Sequence, residues 1–74
     1  MMAPAQFAAL AELLRLRGGP SEDAARLVMV EGVTPAEAAR RTGASPQAVS
    51  NAVTRCRRGI ELVKRVASGD SVRP

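Results

Sequence analysis

The 74 residues contain no histidine, tryptophan or tyrosine, and only one cysteine and one phenylalanine. These absences exclude several classes of function. No zinc-ligand set can be assembled without His and with a single Cys, and no internal disulfide can form. The usual pairings of nucleophile and base are missing as well. The seven carboxylates are scattered, with no pair marked out for acid–base work. The one adjacent glycine pair, Gly18-Gly19, is followed by Pro20 and reads as a turn rather than a phosphate cradle. The chain is therefore expected to be a non-enzyme that needs no metal or cofactor. Uncharged stretches are too short to cross a bilayer, and the N-terminus lacks the basic leader of a signal peptide. The basic amphipathic stretch 46–67 lacks the aromatic anchors of a membrane-surface helix. A reducing cytoplasm is the expected setting.

What the chain does have is concentrated in TPAEAARRTGASPQAVSNAVTR, residues 34–55. Thr34 precedes Pro35, with Glu37 three residues after the threonine, the pattern of a capping box with proline at the first helical position. Gly43 stands where a helix must end in the left-handed conformation that glycine adopts at little steric cost. Ser45 and Pro46 open another helix in the same way. Two short helices joined by a tight glycine turn are the grammar of a helix-turn-helix, which places its second helix in the DNA major groove.

The residue types inside the unit agree. Ala38, Ala39, Ala44, Val49, Ala52 and Val53 suit helices that cross closely, and a larger residue at Ala39 would push them apart. Val49, Ala52, Val53 and Cys56 fall on one stripe at helical spacing. Gln47, Ser50, Asn51 and Thr54 fall nearly opposite, a row of short hydrogen-bonding groups suited to base edges and phosphates. A merely solvated face would carry more Glu and Lys; a structural helical hairpin with a polar outer face is the alternative. Cys56, on the apolar stripe, is expected to be a small core residue.

Charge is unevenly spread. Residues 1–37 hold three Arg against five acids, a net of −2, and residues 38–74 hold seven Arg and one Lys against two acids, a net of +6, together the formal +4. The basic half contains the second helix of the unit, where phosphates would lie. Ten of the eleven basic residues are Arg, whose planar fork suits phosphate and guanine.

A single all-α domain of four to five helices is expected over 1–74, with the helix-turn-helix at about 34–56. A first helix over 5–17 turns Phe7, Leu10, Leu13 and Leu14 inward, and Phe7 is a core anchor rather than a stacking platform. Ser21 caps a second helix over 22–31, with Ala24, Leu27 and Val28 buried and Gly32 ending it. A third covers 35–42 and a fourth starts at Pro46. Gly59 predicts an end or bend near Arg58, because glycine costs about 1 kcal/mol relative to alanine inside a helix. A separate fifth helix would run over about 60–67, and 68–74 would be a flexible tail. Ile60, Leu62, Val63 and Val66 either close the monomer core or form a dimer seam; the seam is preferred for some of them, since small domains gain stability by self-association.

The stretch PAEAARRTGASPQAVSNAVTR, preceded by ARLVMVEGVT, resembles the TrfB/KorA family of plasmid transcriptional repressors. The resemblance covers roughly residues 5–58 and is best over 24–55, with AVSNAV at 48–53 the most family-like piece. It implies a sequence-specific dimeric repressor acting at palindromic operators, with Ser45, Pro46, Gln47, Ser50, Asn51 and Arg55 at or near the DNA. Pro46 stands where relatives often carry Arg or another polar residue. Relatives also carry a longer C-terminal dimerisation region, so the dimer contact is expected from the last helix, the first helices or a partner.

On this reading the partner is a double-stranded operator. Gln47 and Asn51 read bases, adenine being the bidentate match for an amide. Ser45, Ser50, Thr54, Arg40, Arg41, Arg55, Arg57 and Arg58 hold phosphates. The competing readings are a promoter-binding module resembling a sigma-factor region, and a protein-interaction adaptor of antitoxin or anti-repressor type that grips a partner with its apolar tail.

Overall fold

The computed structural model describes residues 1–69 of the chain. Four helices follow one another: α1, Pro4–Leu13; α2, Pro20–Glu31; α3, Pro35–Thr42; and α4, Pro46–Ser68. Each begins with proline at its first position, whose missing N–H is one that a helix start leaves unpaired in any case. No helix among the described residues is long and apolar enough to cross a membrane. The tail expected over 68–74 falls, from residue 70 onward, outside the described residues.

α2 lies at the centre, packed most extensively against α3 and α4, while α1 rests on α2 and α4 and does not touch α3. The core is one cluster of Phe7, Leu10, Ala24, Ala25, Ala38, Ala39, Val49, Val53 and Cys56. Four of those nine are alanines. Short side chains bring helix backbones close, so the cluster reaches a dry interior with few large residues. Leu27 and Val28, expected as core, are half-buried and pack against its rim. Leu13, also expected to face inward, is 61% exposed.

Leu13 sits at the edge of the stripe formed by Phe7, Leu10 and Leu14, where it borders an open groove, and α1 is also shorter than expected. The helix expected to run to Arg17 ends at Leu13, and Leu14 is its C-cap. The Arg15 amide donates to the Glu12 carbonyl at 3.1 Å and the Leu16 amide to the Ala11 carbonyl at 2.9 Å. These two bonds form a Schellman motif. Its left-handed position is filled by Arg15, at φ 56°, the one non-glycine residue with positive φ among those described. The Gly18-Gly19 pair, which suggested the stop, instead starts α2. Gly19 at φ 102° is the N-cap and Pro20 the first helical residue, so Ser21 lies inside α2 and does not cap it. The Glu22 carboxylate steadies this entry by accepting from the Gly18 amide at 2.8 Å.

The expected break at Gly59 does not occur, and there is no separate fifth helix over 60–67. α4 is continuous for 23 residues, about 34 Å at 1.5 Å per residue, which nearly fills the 39 Å long axis of the molecule. Gly59 is buried, and a Cβ placed there would lie 3.1 Å from Leu10 Cδ1 and 3.2 Å from Leu14 Cδ2. The glycine is an approach point for α1, and packing there offsets its poor helix propensity. Arg55 holds the same junction, its Nη2 donating to the Leu14 carbonyl at 2.8 Å.

Gly59→Ala sets a propensity gain of about 1 kcal/mol against displacement of two leucine tips, so urea denaturation should find its stability within about 1 kcal/mol of the wild type. Gly59→Leu forces α1 away and should destabilise by about 2–3 kcal/mol, within the range for overpacked cores.

Candidate nucleic-acid interface

The turn between α3 and α4 is three residues long, Gly43-Ala44-Ser45. Gly43 takes the left-handed conformation at φ 78°, and its amide closes on Ala39. Thr42 Oγ1 donates to the Ala38 carbonyl at 2.8 Å and accepts from the Ala44 amide at 3.3 Å. The Ser45 hydroxyl accepts from the Ala48 amide at 3.1 Å, which leaves its own proton free to donate outward. On the α3 side the Thr34 hydroxyl accepts from the Glu37 amide at 3.1 Å. The reciprocal half of the expected capping box is not made. The Glu37 carboxylate runs along the helix and accepts from Arg40 and, at 2.7 Å, from Arg41.

α4 leaves this turn with two opposed faces. Val49, Val53 and Cys56 are buried and Ala52 half-buried, while Gln47, Ser50, Asn51 and Thr54 are exposed. Gln47 Nε2 donates to Asn51 Oδ1 at 3.0 Å. That bond aligns the two amides as one unit and, among the described residues, leaves Asn51 Nδ2, the second lone pair of its Oδ1 and Gln47 Oε1 without a partner. Burial pushes the Cys56 thiol above its ordinary range, against a smaller downward pull from Arg55 and with a further upward push from Glu22. The thiol is a packing group, shielded and protonated.

The remaining residues expected at DNA, Ser45, Pro46, Arg40, Arg41, Arg55, Arg57 and Arg58, are exposed as well. Their charges are not equally free. Arg40 and Arg41 share Glu37, and Arg58 pairs with Glu61 at 2.9 Å. Arg55 is tied to the Leu14 carbonyl, so it acts partly as a strut between α1 and α4. Arg57 makes no ion pair among the described residues. Exposed pairs of this kind are weak, at about 0.2–1 kcal/mol, so an incoming phosphate competes with them readily.

Two basic residues missed by counting charge along the chain border the same surface. Arg15 and Arg17, in the otherwise acidic half, flank an open cleft of about 650 Å³ whose other wall carries Asn51 and Arg55. Sequence-linear charge cannot reveal this, because the early end of α1 is what folds that segment against α4.

The four residues assigned to a dimer seam do not share one surface. Ile60 is half-buried, packs against the core and lines the same open groove as Val63. Leu62 lines a small cavity with Leu14 and Gly59. Val63 is 45% and Val66 67% exposed, and Val63 borders a groove of about 740 Å³ shared with Leu13, Met1 and Met29. Among the described residues, no group of three or more His, Cys, Asp or Glu is placed to hold a metal ion.

No curated protein and no solved structure matches the chain significantly. A family model does: that of the TrfB plasmid transcriptional repressor, over residues 2–68. The match takes in all four helices and the glycine turn, and the chain belongs to this family of plasmid transcriptional repressors.

Proposed function

We propose that the protein represses transcription by binding a palindromic operator as a homodimer, with the N-terminal half of α4 in the major groove. The observation that carries this reading is the outward polar stripe of α4, with Gln47 and Asn51 joined by a hydrogen bond and backed by a buried apolar edge. A helix that presents short amides rather than long flexible charges is fitted to base edges. Adenine N6 can donate to the open Oδ1 lone pair of Asn51 while its N7 accepts from Nδ2. Gln47, steadied by the same bond, reaches the neighbouring base. Ser45, Ser50 and Thr54 lie around this pair and supply phosphate contacts, joined by Arg40, Arg41, Arg55 and Arg58 as their internal bonds exchange; Arg57, further along α4 on the border of the groove that also holds Leu13 and Val63, reaches a phosphate at the edge of the same footprint. Pro46, with no N–H, contributes the start of the helix and apolar contact. The protein acts in the cytoplasm, on plasmid DNA.

Dimerisation is assigned to the C-terminal part of α4, where Val63, which shares an open groove with Leu13, and Val66 are exposed. Apolar side chains left open on so small a domain gain by pairing. Two such heads would read half-sites about 34 Å apart, one turn of DNA.

Asn51→Ala should relax sequence preference and weaken operator binding by about 1–3 kcal/mol, while Arg57→Ala should weaken all duplexes alike and lower the salt slope by about one. Titrations with operator and with scrambled duplex distinguish them, and an Asn51→Ala protein with full affinity and selectivity would end the base-reading assignment. In sedimentation, Val63→Asp with Val66→Asp should shift the protein to monomer without loss of helicity; a variant that sediments like the wild type would move the dimer contact elsewhere.

A further inference from the structure

We propose that Arg15 and Arg17, on the segment joining α1 to α2, form a second phosphate-binding element that grips the DNA backbone beside the groove entered by α4. The inference rests on the DNA-binding reading and adds to it two residues outside the helix-turn-helix.

The first support is conformational. Arg15 occupies the left-handed position of the Schellman motif that ends α1, at φ 56°. Glycine fits that position without strain, and an arginine there works against the fold. Residues held in such conformations at a cost to stability point to a use for the side chain. The Arg15 side chain contributes little to packing, because the residue is exposed.

The second support is charge. Arg26, Arg40, Arg41, Arg58 and Arg65 each face a carboxylate. Arg15 and Arg17 make no ion pair among the described residues. The cleft they border is lined by three arginines, Arg15, Arg17 and Arg55, against the single acid Glu22. One Glu22 oxygen is already engaged by the Gly18 amide. The balance of +2 in a concave surface favours a polyanion.

The third support is position. Asn51 belongs both to the recognition stripe and to the wall of this cleft, so a backbone passing the base-reading amides runs past the cleft mouth. The Arg55 bond to the Leu14 carbonyl fixes the residue next to Arg15 on α4. The segment is thereby held in place before any ligand arrives, and little ordering is needed on binding. The shared chemistry is a phosphate diester or monoester. A DNA backbone is the source favoured here, because the cleft is open and continuous with the α4 face.

The test uses the full chain and a labelled mixed-sequence duplex, with affinity followed by anisotropy across a salt series. Arg15→Gly should retain or raise Tm, yet reduce the slope of log K against log salt by about 0.9; adding Arg17→Ala should bring the reduction to about 1.8. The Arg15→Lys, Arg17→Lys double variant should keep a slope near that of the wild type, since charge rather than shape is at stake. If Arg15→Gly with Arg17→Ala leaves the slope unchanged while Arg57→Ala flattens it, the clamp is overturned and the DNA-binding reading stands. If the wild type binds no duplex, both fall. Calorimetric titration with inorganic pyrophosphate separates the sources. Binding lost in the double Gly/Ala variant, with its duplex affinity intact, would assign the cleft to a small phosphorylated effector and overturn the backbone assignment.

Discussion

One edge of one helix anchors this molecule. Val49 and Cys56 are the largest fully buried side chains, and with Val53 they seat α4 on the alanines of α2 and α3. Full burial of a valine is worth about 1.5–3 kcal/mol, a large share of the few kcal/mol by which so small a domain is stable. Rotating α4 to expose another face would forfeit that burial. The orientation that keeps the valines dry also turns Gln47, Ser50, Asn51 and Thr54 to the outside. Core packing and the reading face are two sides of the same constraint.

The helix-turn-helix was legible because its signals are local. Thr34, Gly43 and Ser45 act through bonds that span three or four residues, and each does what its type predicts. Where tertiary contact decides, the sequence was less transparent. Gly59 has the residue type of a helix breaker, but its role is set by Leu10 and Leu14, which lie more than forty residues away along the chain. The end of α1 was hidden for the opposite reason. Its left-handed position is filled by Arg15, and a pattern search looks for glycine there. Ser21 has the chemistry of a cap, yet the helix already starts at Pro20 with Gly19 as its N-cap, two residues before the serine.

The candidate interface divides along the same line. The polar stripe of α4 follows from a period of 3.6 residues and could be read directly. What each arginine is engaged with could not. Glu37 holds two of the expected phosphate ligands, Glu61 holds another and the Leu14 carbonyl a fourth, while Arg15 and Arg17 enter the picture only through the folding of an intervening segment. The apolar residues of the last helical stretch also divide once α4 is continuous: Ile60 and Val63 border one groove, Leu62 another, and Val66 is exposed beyond them. Membership of a repressor family then connects a polar helix face and a basic surface to transcriptional control.

The central claim is that the outward face of α4 selects a DNA sequence. Selection of bound duplexes from a random pool with the purified full chain tests it most directly. Enrichment of one motif with two-fold symmetry and adenines within each half-site is expected. Recovery of a pool no different from the input would contradict it.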